Sequence, residues 1–83
     1  MSENKRKTTI NFKENFQKKT KLIESLKTLN LSKVKIEDKE KVFNSIRRKW
    51  VSVGKVPRHQ SFNLNNSYKH QIKLYYDLVY LLS

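Results

Sequence analysis

Wound at about 100° per residue, Val42, Phe43, Ile46, Trp50 and Val53 fall within a single sector of about 100°, the clearest amphipathic pattern in the chain. Lys41 and Arg48 point away from that sector and Arg47 lies on its flank. The helix is predicted to begin near Glu37 and Asp38, whose charges suit a helix N-terminus, and to end between Lys49 and Gly54. A chain built around such a stripe needs other apolar helix faces to cover it. The remaining sequence must therefore supply them.

A first helix is expected from Asn11, with Asn11 as N-cap and Glu14 at the third helical position, a variant of the capping box. Phe12, Phe16, Ile23 and Leu26 form its apolar stripe, flanked by Leu22 and Leu29, while Lys13, Lys18, Lys21 and Lys27 lie away from the stripe's centre. It runs to about Asn30, which is expected to close it in the left-handed conformation. Residues 54–66 carry turn and cap residues and read as a loop; a short β-wing within residues 50–64 is the alternative. A last helix is expected from Asn65, Asn66 or Ser67 to the C-terminus. It is apolar on two sides: Tyr68, Ile72, Tyr75, Tyr76, Val79 and Leu82 form a broad one, and Leu74, Leu78 and Leu81 lie opposite. A surface helix needs only one such face, so Leu74, Leu78 and Leu81 point to a homodimer.

The expected fold class is mainly α: a compact three-helix domain over residues 10–83, helix-turn-helix-like, preceded by a flexible basic arm at residues 1–9 that carries Lys5, Arg6 and Lys7. A ribbon-helix-helix dimer with residues 7–13 as its strand is the second architecture, although its helix linker would be long and the third helix extra. With 83 residues the chain has room for one domain and a small core.

Charge carries most of the functional information. Nineteen Lys and Arg against seven acids give a net charge of +12, which attracts polyanions and repels further copies of the chain. No acid occurs between Glu40 and Asp77, while that interval holds Lys41, Arg47, Arg48, Lys49, Lys55, Arg58, Lys69 and Lys73. Compensation of a helix dipole accounts for one or two cations at the end of the second helix, not for five between Arg47 and Arg58. Three of the four Arg lie there, and the planar guanidinium suits bidentate contact with phosphate or guanine. Gln60, Asn65 and Asn66 add amides able to bind adenine or backbone, and His59 adds a further phosphate contact. These twelve residues form the expected nucleic-acid interface, with duplex DNA favoured over RNA. The absence of Ala, with fifteen Lys and eight Asn, matches an AT-rich coding source such as a phage or plasmid, where such a protein would be a transcription regulator.

Other classes find little support. There is no Cys for a disulfide or thiolate metal site, and His59 and His70 alone do not make a zinc site. No Gly-rich phosphate loop and no nucleophile-base set occurs, so neither catalysis nor a cofactor is expected. The N-terminus lacks an apolar signal run, and the most apolar segment, residues 72–82, is about half of a membrane span, so the protein is expected to be intracellular. Two rival readings remain: a protein-interaction module or phage-type inhibitor anchored by residues 68–82, and an RNA-binding or ribosome-associated protein.

Overall fold

A computed structural model describes residues 11–82 as three helices, α1 (Phe12–Leu31), α2 (Ile36–Ser52) and α3 (Arg58–Leu82), with no strand among the described residues. The mainly-α three-helix fold expected from the stripes is the one observed. The basic arm expected at residues 1–9 lies outside the described residues, which form one bundle.

α1 begins as its sequence predicts: the Asn11 Oδ1 accepts the Glu14 N–H at 3.0 Å. Its end differs. No non-Gly residue among those described has positive φ, and Asn30 stays helical. Ser32 stops the helix instead, in extended conformation, with both its backbone N–H and its hydroxyl donating to the Leu29 carbonyl. The buried amide of Asn30 donates to the backbone carbonyl and to the side-chain Oε1 of Gln71, each at 3.0 Å, and so ties the end of α1 to the middle of α3.

α2 starts at Ile36 with Glu37 and Asp38 in its first turn. Its buried side is Lys39, Phe43, Ile46 and Trp50. Val42, expected on that stripe, is 45% exposed, because Lys39 occupies the buried turn before Phe43 with only 4% of its surface exposed. A lysine stem covers apolar surface as a hydrocarbon would, and the charge at its tip hides that role from a hydrophobicity pattern.

The largest correction concerns residues 58–66. They are the first turns of α3, so neither a long loop nor a β-wing separates α2 from α3, and the connection is residues 53–57. Pro57 starts the helix: its carbonyl accepts the N–H groups of Gln60 and Ser61, both at 3.0 Å, and its ring fixes a helix-compatible φ. Leu64, buried four residues before Tyr68, then holds the segment against the core. The Asn, Ser and Gln residues that resemble a loop are the solvent side of a helix.

α1 packs on both other helices, whereas α2 and α3 meet mainly through aromatic rings. Phe43 stacks on Tyr75 with ring centres 3.7 Å apart, Trp50 stacks on Tyr68 at 3.7 Å, and Tyr76 meets the edge of Phe43 at 5.4 Å. Seven residues up α2 correspond to seven down α3, so the two helices run antiparallel. Ile23, Leu26 and Leu29 from α1 complete the core. Phe12, expected on the α1 stripe, is 44% exposed, since it opens the helix at the edge of the bundle. Burial pushes the Tyr75 hydroxyl up from its ordinary pKa, with Glu40 and Tyr76 adding to the shift.

Gly54 closes the turn end of the bundle. The Asn15 Nδ2 donates to the Lys55 carbonyl at 2.7 Å, and a Cβ on Gly54 would stand 2.8 Å from that same nitrogen. Gly54→Ala is expected to push the amide aside and destabilise the fold by about 1 kcal/mol, the worth of one hydrogen bond. In an Asn15→Ala background the same substitution should cost nothing, because the obstacle is gone. Urea denaturation of the four proteins in this cycle measures the coupling.

Candidate nucleic-acid interface

The fold sorts the charges by position along the bundle. At the end built from residues 11–22 of α1, residues 44–52 of α2 and the turn into α3, Lys13, Lys18, Lys19, Lys21, Arg47, Arg48, Lys49, Lys55 and Arg58 face a single acid, Glu14. At the opposite end, Lys33, Lys35, Lys39, Lys41 and Lys73 are nearly balanced by Glu37, Asp38, Glu40 and Asp77. Lys73 is bonded to Asp77 at 3.1 Å. The basic end therefore carries most of the net charge.

Among the described residues, three of the grooves at that end hold two or more cations each. Between α1 and α2, Lys18, Lys21 and Lys49 line a groove with Asn15, Ser52 and the turn at Gly54. Between α1 and α3, Lys19, Lys55 and Arg58 line a second with Ser61 and Asn65. On the outer side of α2, Arg47 and Arg48 flank a third with Asn44 and Val51. Like charges this close raise the local potential and draw in anions.

Two cations are held by rings. The Lys19 Nζ stands 4.4 Å from the centre of the Trp50 ring, and burial there lowers its pKa from the ordinary lysine value. Arg47 lies 5.7 Å from the Phe43 ring centre and donates to the Tyr76 hydroxyl at 3.4 Å. The Tyr68 hydroxyl is pushed up by burial, against which Arg47 pulls it down. Aromatic rings thus position both cations at the basic end.

The interface residues expected from sequence are distributed as follows. Lys49 lies in the α1–α2 groove; Lys55, Arg58 and Asn65 lie in the α1–α3 groove; Arg47 and Arg48 lie outside α2. His59, Asn66, Lys69 and Lys73 are exposed on α3. Gln60 is half-buried beside Phe16, and Lys41 sits among the acids of α2, away from the basic end. Lys18, Lys19 and Lys21, absent from the expected interface, bring α1 into the site. Their signal is present in "KENFQKKTK", residues 13–21, a cation run with one acid.

In chain order α2, the turn and α3 form a helix-turn-helix; in geometry they form an antiparallel hairpin, unlike the roughly 90–120° crossing of the DNA-reading motif. Among the described residues no group of His, Cys, Asp or Glu stands close enough together to hold a metal ion, and no helix is long and apolar enough to cross a membrane.

Fold and charge define an all-α, three-helix protein with one strongly basic end. Residues 2–59 match the protein family described as Domain of Unknown Function (DUF349), and the chain belongs to that family. The match takes in α1, α2, the turn and the first residues of α3, hence nearly all of the basic end. No curated protein and no solved structure matches the chain.

Proposed function

We propose that the protein binds nucleic acid through its basic end, with duplex DNA as the preferred ligand and a regulatory or architectural role inside the cell. The observation that carries this reading is the segregation of charge: nine cations against Glu14 at one end, near balance at the other. Solubility alone would be served by cations spread over the surface, whereas concentration around three adjoining grooves is what a run of phosphates rewards.

Duplex is favoured over single strands because the cations sit on rigid helices. Phe43, Trp50, Tyr68 and Tyr75 are spent on the core, and the two rings exposed toward the basic end among the described residues, Phe12 and Phe62, stand on different helices, which is not the sheet of neighbouring rings that a single-strand stacking platform uses. The outer side of α3, with Arg58, His59, Asn66 and Lys69, presents cations and amides of the kind that contact base edges and backbone. The Lys- and Asn-rich, Ala-free composition fits an AT-rich source such as a phage or plasmid.

Competition binding tests the choice of ligand. A fluorescent random-sequence duplex is displaced with unlabelled duplex DNA, duplex RNA or single-stranded DNA at constant salt. Duplex DNA is expected to compete best. Equal competition by duplex RNA would shift the reading to RNA, and strongest competition by single strands would contradict the rigid-duplex argument.

A further inference from the structure

α3 outruns α1. Asn30 of α1 is bonded to Gln71, and α1 ends at Leu31, so among the described residues the rest of α3 continues beside α2 without α1. At about 100° per residue, Leu74, Leu78 and Leu81 lie within about 80° of Gln71 on the helix circumference. They prolong the side of α3 that α1 covers, past the point where α1 stops. Leu74 is 36% exposed and Leu81 77%, Leu78 between them is half-buried, and Leu31, at the tip of α1, is 83% exposed. The second apolar side of α3 is thus a shelf left open at the end of α1.

We infer that a second copy of this chain covers the shelf, α3 against α3 and antiparallel. Three observations select that occupant. Residues 1–10 contain only Met1 and Ile10 as apolar residues, so this segment has no matching stripe to lay on it. The spacing of Leu74, Leu78 and Leu81, four then three, is that of a two-helix seam, and a symmetric contact buries it in both copies at once. Charge decides the orientation. The basic ends repel each other, while the shelf end mixes Lys33, Lys35 and Lys41 with Glu37, Asp38 and Glu40, so two shelf ends can pair opposite signs.

In the antiparallel arrangement Leu78 meets Leu78 on the two-fold axis and Leu74 meets Leu81. At 1.5 Å per residue, the two Arg58 residues then stand about 60 Å apart. A parallel arrangement would set each leucine opposite itself and bring both basic ends side by side. The inference does not depend on nucleic-acid binding, and its test contains no nucleic acid.

Sedimentation equilibrium should show the native chain as a dimer at high micromolar concentration. Leu81→Glu and Leu74→Glu, both at exposed positions, should be monomers with unchanged far-UV circular dichroism. Because the chain lacks Cys, engineered cysteines report geometry directly. Under mild oxidation Leu78→Cys should cross-link with itself, and Leu74→Cys should cross-link with Leu81→Cys in a mixture while failing to do so alone. A native monomer at near-millimolar concentration overturns the inference, as does a dimer that survives both Glu substitutions. Self-linking of Leu74→Cys as fast as its linking to Leu81→Cys overturns the antiparallel arrangement.

Discussion

Phe43→Ala is expected to remove about 3–5 kcal/mol of stability, the range for deleting a buried aromatic ring. Phe43 is 2% exposed, stacks on Tyr75, meets the edge of Tyr76 and carries Arg47 above it. The contact between α2 and α3 depends on two ring stacks, so losing one leaves half of that contact without a partner. A domain of this size has about 4–12 kcal/mol of stability in all. The variant should therefore melt at least about 15 °C lower than the native protein, if it folds at all. Phe62→Ala supplies the contrast: this equally large ring is 71% exposed on α3, and its removal should change stability by less than about 0.5 kcal/mol. Thermal melts followed by circular dichroism measure both. Equal losses from the two substitutions would mean that the ring stacks do not hold the bundle.

The second large effect concerns the basic end. Changing Lys18, Lys21 and Lys49 together to Gln should lower affinity for random duplex DNA on the order of 100- to 1,000-fold at 0.1 M salt, if each cation neutralises one phosphate. All three are exposed and line one groove, so the fold should be unaffected. Changing Lys33, Lys35 and Lys41 to Gln removes the same charge from the opposite end and should cost less than about tenfold, through the long-range field alone. Fluorescence anisotropy at fixed salt compares the two triples. If both lose equally, net charge matters and its placement does not.

The two triples also show how far the site is legible in the sequence. The α2 stripe and the Asn11 cap can be read because each rests on residues within a few positions of one another. Arg47, Arg48 and Lys49 stand out for the same reason, as a cluster without an acid. Lys18 and Lys21 do not, because their part in the site comes from standing across a groove from Lys49, a neighbour only once α1 and α2 are packed. Residues 58–66 mislead because Asn, Ser and Gln on the wet side of a helix have the composition of a turn; the burial of Leu64 decides the matter, and that burial is tertiary. The two apolar sides of α3 are visible as a pattern. That one of them is left uncovered, because α1 stops beside Gln71 while α3 goes on, is seen only through the Asn30–Gln71 bond, which joins residues far apart in the chain.

The most direct test of the account is the salt dependence of binding to a random DNA duplex, measured from low to moderate ionic strength. If the basic end neutralises about five or six phosphates, the logarithm of the binding constant should fall linearly with the logarithm of salt, with a slope of about −5. The Lys18, Lys21, Lys49 triple variant should flatten that slope by nearly 3 units. Absence of binding to the duplex at low salt, or binding with a slope near zero, would contradict the account.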